Sequence, residues 1–135
     1  MKLVLDANVL IAAFAAHGLC EALFQSCLEN HEIVSSSELL DEVRAKLVSK
    51  IKLPEETATA IHEFLAAHST VVEPAEVPPD ACTDKNDLFV LGTAAAGSVA
   101  FLVTGDKALL SVEVYGGIPI VNPRRFWEIQ TRTQP

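Results

Sequence analysis

The sequence lacks a long uninterrupted apolar run, although half of its 135 residues are hydrophobic. Its apolar stretches are broken by Asp6, by Gly92 and Gly97, or by Asp106, whereas a membrane-spanning helix needs about 18 consecutive apolar residues. Basic residues are also scarce, since 10 Lys and Arg stand against 18 Asp and Glu, for a net charge of −8. We therefore expect a soluble, cytoplasmic protein with no membrane partner. The charge by itself argues against a nucleic-acid partner, because phosphate contacts need Lys and Arg.

Cysteine is rare as well. Cys20, Cys27 and Cys82 are odd in number and show neither a Cys-x-x-Cys motif nor the spacing of a Cys/His metal site. This pattern argues against a disulfide framework and against a zinc site, and it predicts buried, unreactive thiols. The length suits one domain with a core of its own, so we predict a single domain over residues 1–135.

Short apolar stretches alternate with helical patterns along the whole chain. The stretches lie at residues 2–5, 32–34, 70–73, 99–103 and 118–121, which predicts an α/β fold with a central parallel sheet. Pro119 favours an outer position for the last strand. Ser35 and Glu38 have the spacing of a capping box, so we expect a helix to begin there.

Four acidic residues occupy positions where such a fold would bring them together. Asp6 and Asp106 end apolar strands, Asp87 opens a helix, and Glu42 borders the apolar face of another helix. The carboxyl ends of parallel strands share one edge of a sheet, so these carboxylates can meet there. Gathered carboxylates repel one another, and oxygen-only ligands suit Mg²⁺ or Mn²⁺, which support in-line displacement at phosphorus. Alternatively, Asp6 only caps the helix that follows it.

Several motifs in order resemble those of the PIN domain family, specifically the bacterial VapC-like proteins of toxin–antitoxin pairs. They are Asp6-Ala7-Asn8-Val9-Leu10, the helix with Ser36 and Glu42, Asp84-x-x-Asp87, Val103-Thr104-Gly105-Asp106-Lys107, and the ending Ile120-Val121-Asn122-Pro123 with Phe126. The resemblance implies a three-layer α/β/α sandwich with a central, mostly parallel sheet. It also implies an endoribonuclease that depends on Mg²⁺ or Mn²⁺, acts on RNA, is inhibited by a cognate antitoxin and is often a homodimer.

The resemblance also suggests roles for individual residues. Asp6, Glu42, Asp87 and Asp106 match the catalytic, metal-binding acids, and Asn8 and Thr104 match polar residues that support the first and last of them. Asp84 is either a further ligand or a helix cap. Arg44, Lys46 and Lys107 are candidate RNA contacts, although the basic residues of 44–52 could equally form a solvated face paired with nearby acids.

Two other functions are consistent with the sequence. The first is a non-catalytic domain whose acids cap helices and whose surface binds a partner. The second is a phosphatase of the haloacid dehalogenase type with Asp6 as nucleophile. That chemistry favours a second acid two residues further on, where this chain has Asn8, and a further Asp beyond Asp106, where it has residues 108–110 without one.

Overall fold

The computed structural model describes residues 1–133, and strands and helices alternate along most of that length. The strands are β1 (Lys2–Leu5), β2 (Glu32–Ser35), β3 (Ser69–Val71), β4 (Phe101–Val103), β5 (Val114–Tyr115) and β6 (Ile118–Val121). The helices are α1 (Ala7–Ala15), α2 (Leu19–Asn30), α3 (Ser37–Ser49), α4 (Glu55–Ala67), α5 (Leu88–Gly97), α6 (Lys107–Val112) and α7 (Pro123–Thr133). The 3-10 turn Lys85–Asp87 leads into α5.

The strands form one sheet in the order β3-β2-β1-β4-β6-β5, and all neighbours except β5 and β6 run parallel. The central strand β1 is buried from Leu3 to Leu5, as this unbroken apolar run predicts. In the sheet, β2 and β3 lie on one side of β1, and β4 and β6 lie on its other side. The chain therefore moves across the sheet in one direction from β1 to β3 and in the opposite direction from β3 to β4 and β6. Right-handed crossovers therefore place α1–α4 on one face and α5 and α6 on the other. The predicted α/β/α sandwich is confirmed.

The prediction that residues 118–121 form an outer strand is wrong. β6 lies between β4 and β5, and the edge strand is the short β5, which the sequence pattern did not reveal. Gly116 and Gly117 have φ of +56° and +82°, the left-handed values that a two-residue hairpin turn requires, so the chain reverses there. Pro119 is tolerated because the antiparallel ladder uses the N–H of Ile120, which donates to the carbonyl of Glu113 at 2.8 Å.

The predicted capping box is displaced by one residue. Strand β2 extends through Ser35, whose carbonyl accepts from the N–H of Val72 at 2.9 Å. The cap of α3 is therefore Ser36, whose Oγ accepts from the N–H of Leu39 at 3.3 Å. Three serines in succession leave the cap position ambiguous in the sequence, and pairing with β3 resolves it.

The predicted apolar face that Glu42 borders is confirmed in α3, where Leu39, Val43 and Leu47 are fully buried. All three cysteines are free thiols; Cys27 and Cys82 are buried, and Cys20 is partly so. Burial raises the pKa of Cys27 to about 12, which suits an unreactive core thiol.

Helices α1 and α2 form a sharply bent pair. Their axes differ by 106°, and Phe14 packs on Phe24 with ring centroids 5.3 Å apart. In residues 1–133 no single helix is long and apolar enough to cross a membrane. This pair reaches the required length and composition only when its two bent halves are taken together.

Candidate metal centre

Asp6 lies at the junction of β1 and α1 and is 5% exposed. Its backbone N–H donates to the carbonyl of Val103 at 2.9 Å, which fixes the end of β1 beside the end of β4. Its Oδ1 accepts from the N–H of Ala7 at 2.7 Å and its Oδ2 from the hydroxyl of Thr104 at 2.7 Å. Burial nevertheless raises the pKa of Asp6, and the negative charges of Glu42 and Asp106 add to that effect. The carboxylate is thus held in a fixed orientation in an environment that disfavours its charge.

Thr104 connects Asp6 to the second strand-end acid. Its Oγ1 donates to Asp6 and accepts from the N–H of Asp106 at 3.0 Å, so one buried hydroxyl links both acids. Asp106 also caps α6, because its Oδ1 accepts from the N–H of Ala108 at 2.8 Å. Asn8 adds a weaker hydrogen bond between the start of α1 and the loop after β4, since its Oδ1 accepts from the N–H of Gly105 at 3.4 Å. Thr104 and Asn8 therefore lie where supporting residues are expected.

Asp87 ends the 3-10 turn that leads into α5. Its Oδ2 is buried and has no hydrogen-bond partner among the described residues. Burial, first, and then the neighbouring Asp106 raise the pKa of Asp87 to about 7, with smaller contributions from Asp84 and Asp6. A buried carboxylate oxygen without a donor is energetically costly, and either a proton or a cation relieves that cost. Asp84 caps the turn, because its Oδ1 accepts from the N–H of Asn86 at 2.9 Å.

Glu42 comes from α3 and lines the same cleft as Asp106. Its Oε2 lies 3.5 Å from the Nζ of Lys46, one turn further along the same helix. The start of α3 is tied to α5 by the buried hydroxyls of Ser36 and Thr93, which are 2.9 Å apart. This contact couples the helix that carries Glu42 to the segment that carries Asp87.

The carboxylates open into one cleft with a volume of about 630 Å³. All four predicted acids line it, together with the predicted Asn8, Asp84 and Lys46, whereas Thr104 lies buried beneath it. Three further lining residues were missed by the sequence analysis: Lys85, Asn86 and Phe89. Lys85 and Asn86 lie inside the Asp84-x-x-Asp87 motif, so their position in the chain was the available signal.

Two predicted RNA contacts are not in this cleft. Arg44 points to a separate groove between α3 and α4, where Asp41 and Glu55 also lie. Lys107 is exposed at the first position of α6, next to Asp106, but does not line the cleft. Of the three candidates, only Lys46 faces the acids.

The side chains of the cleft are of the type that binds a divalent cation, but they are not gathered around one common point. Carboxylate oxygens are the ligands that Mg²⁺ and Mn²⁺ favour, and the Oδ2 of Asp87 is a buried acceptor with no partner in the described part of the chain. In that same part, no group of three or more Asp, Glu, His or Cys side chains is gathered closely enough to hold a metal as it stands. The acids therefore share a cleft without forming a compact cluster.

Comparison with known proteins agrees with this fold and these motifs. Residues 2–108 match the family model of the PIN domain, so the chain belongs to the PIN domain family. No curated protein sequence matches the chain.

Among solved structures, VapBC2 from Rickettsia felis, bound to a DNA fragment from their promoter, is similar at 17% identity and a TM-score of 0.64, covering 90% of this chain and 98% of that one. VapBC-1 from nontypeable Haemophilus influenzae is similar at 18% identity and a TM-score of 0.62, with coverage of 92% and 99%. PAE2754 from Pyrobaculum aerophilum has 17% identity and a TM-score of 0.62, with coverage of 99% and 91%. At these identities the likeness concerns the fold.

Proposed function

We propose that this PIN domain protein, acting as a single domain over residues 1–135, is an endoribonuclease dependent on Mg²⁺ or Mn²⁺. The observation that carries the proposal is the convergence of Asp6, Glu42, Asp87 and Asp106, from four separate elements, on one cleft. Placing these charges together weakens the fold unless a cation offsets them. Function therefore accounts for an arrangement that stability alone would disfavour.

The contacts of each acid suggest its role. Asp6 is oriented by Thr104 and by the N–H of Ala7, so its carboxylate faces the cleft in a fixed position. Asp106 is held by the same hydroxyl, and Asp87 offers a buried oxygen with no competing donor. A divalent ion bound there would supply an activated water and stabilise the leaving oxygen of a phosphodiester. Glu42 completes the ligand set or orients the water.

We further propose that the protein is the VapC-like toxin of a cytoplasmic toxin–antitoxin pair, with a cognate antitoxin as partner and a homodimeric state. The support is membership of the PIN family together with the similarity in fold to structures described as VapBC2 and VapBC-1. Co-purification with the product of the adjacent reading frame, followed by inhibition of RNA cleavage by that product, tests the pairing. Cleavage that continues unchanged in its presence would contradict it.

Cleavage of RNA by the purified protein tests the catalytic proposal. We expect cutting of RNA with Mg²⁺ or Mn²⁺ and none with EDTA, and we expect Asp6→Asn to lower the rate at least about 100-fold through loss of a ligand. Asp80→Asn is the matched control, because Asp80 is an exposed loop residue outside the cleft. Equal cleavage by wild type and Asp6→Asn would reject the assignment.

A second candidate function is a non-catalytic, partner-binding PIN domain. It is favoured by one observation: Asp6, Asp84 and Asp106 each cap a helix or turn N-terminus, which accounts for three of the acids without a metal. Thermal melting with millimolar Mn²⁺ separates the two functions, since a ligand that binds only the folded state raises Tm. An unchanged Tm would favour this candidate.

The phosphatase alternative finds no support in the family assignment.

A further inference from the structure

Among the residues that the structure describes, Lys46 is the one Lys or Arg seen in contact with a cleft acid. Its Nζ lies 3.5 Å from the Oε2 of Glu42, with side chains 39% and 33% exposed. In residues 1–133 no other ion pair involves a Lys or Arg; the remaining pairs involve histidines. Lys46 is also the cation of α3 that lines the cleft, whereas Arg44 on the same helix lies in another groove.

A Glu and a Lys four residues apart commonly pair on helices and contribute little to stability. Such a pair normally faces solvent and has no other task. Here the glutamate shares a cleft with Asp6, Asp87 and Asp106, so the ammonium group lies beside a strongly negative site. Its charge therefore acts on every ion that enters the cleft, and not on Glu42 alone.

We propose that Lys46 is an exchangeable counter-ion of this centre, paired with Glu42 before metal binds and with an RNA phosphate afterwards. The inference rests on the proposed function. A divalent ion and the ammonium group compete for the same carboxylate, because both are cations that need the oxygens of Glu42. Once Glu42 turns to the metal, Lys46 stays on the cleft wall with its three N–H donors in contact with water and without a carboxylate partner. A phosphate oxygen of the substrate is the partner that fits.

This exchange predicts two effects of opposite sign when the charge is removed. Without Lys46, the site is more negative and Glu42 is free, so metal binds more tightly. At the same time the substrate loses one phosphate contact, so RNA binds less tightly. A merely structural role for Lys46 would weaken both or change neither, and it would not reverse the sign between them.

Lys46→Met tests the exchange, since methionine keeps most of the apolar stem and removes the charge. We expect the Kd for Mn²⁺, measured by calorimetry without RNA, to fall about three- to tenfold. We expect the KM for RNA to rise about tenfold. We also expect the slope of log KM against log salt concentration to decrease by about 1, which corresponds to the loss of one phosphate contact. Lys46→Arg, which keeps the charge, should remain near wild type in both measurements.

Lys2→Met is the matched control, because Lys2 is exposed at the amino end of β1, whereas the cleft lies beyond the carboxyl end of that strand. It should change neither Kd nor KM. If wild type binds Mn²⁺ but Lys46→Met binds it equally or more weakly, the exchange is overturned while the proposed function stands. If wild type neither binds Mn²⁺ nor cuts RNA, both are overturned together.

Discussion

Replacing Asp87 with asparagine should stabilise the metal-free protein at neutral pH, although we propose Asp87 as a metal ligand. Burial, first, and then Asp106 raise the pKa of Asp87 from its ordinary value of 3.8 to about 7. Because the folded-state pKa is the higher one, protonation of Asp87 stabilises the fold fully below pH 3.8. That stabilisation is lost as the pH rises through about 7, since the carboxyl group then ionises beside the carboxyl group of Asp106, with no donor to its Oδ2 among the described residues. Asparagine keeps the shape without the charge and so avoids the loss.

The size of the effect follows from the displacement of the pKa. A change from 3.8 to about 7 corresponds to roughly 4 kcal/mol, at about 1.4 kcal/mol for each pKa unit. Asp87 is only partly buried, so solvent screening reduces the expected gain to about 1–2 kcal/mol near pH 8. In a domain of this size 1 kcal/mol moves Tm by about 3 °C, and we therefore expect Asp87→Asn to melt about 3–6 °C above wild type.

Thermal melts in EDTA at several pH values measure this gain. The difference in Tm between Asp87→Asn and wild type should be small near pH 4 and largest near pH 8. The comparison must be between variants, because Asp6 also has a raised pKa and contributes to the pH dependence of both proteins. Asp80→Asn removes an exposed carboxylate outside the cleft and should follow wild type at every pH.

Addition of Mn²⁺ should reverse the order of stability. Wild type gains about 2.7 kcal/mol when free metal is 100 times its Kd, whereas Asp87→Asn has lost a ligand and gains little. A Tm of Asp87→Asn at or below that of wild type in EDTA at pH 8 would contradict a destabilising charge at Asp87. In that case the buried Oδ2 of Asp87 already has a hydrogen-bond partner, and the charge of Asp87 does not destabilise the fold.

Two further substitutions test the architecture around the centre. Thr104→Val removes the hydroxyl that donates to Asp6, so we expect about 1–3 kcal/mol lower stability by chemical denaturation and weaker Mn²⁺ binding by calorimetry, while Thr104→Ser keeps both. Wild-type Mn²⁺ affinity in Thr104→Val would contradict its positioning role. Gly92→Ala places a Cβ 2.4 Å from the carbonyl oxygen of Ala75, so we expect about 1–3 kcal/mol lower stability in urea melts. Gly18→Ala, which meets open space, is its control, and equal midpoints for the two variants would show that this contact relaxes freely.

Much of the site was predictable because its signals are local. An apolar run that ends in a carboxylate is visible at Asp6 and at Asp106 without any coordinates, and the spacing of Asp84 and Asp87 identifies a helix start. The inward stripe of α3 follows from a period of 3.6 residues, which also places Glu42 at its border. These features depend on residues close together in the chain, so the sequence contains the information needed to predict them.

Other features depended on which elements become neighbours. The hairpin of β5 and β6 was missed because two residues are too few to form a recognisable strand pattern, and only pairing with β6 makes them a strand. Pairing with β3 likewise decided that Ser36, and not Ser35, caps α3.

The amino-acid sequence by itself determined the α/β class, five of the six strands and the acids that follow two of them. These features follow from hydrophobic periodicity and from turn residues, which depend only on a few neighbouring positions in the chain. Only the tertiary structure decided that Lys46 and Lys85 face the acids while Arg44 faces another groove. It also decided that one oxygen of Asp87 is buried without a partner. The physical reason is that the direction and the burial of a polar side chain depend on helices and strands distant in sequence, whose packing no local pattern specifies.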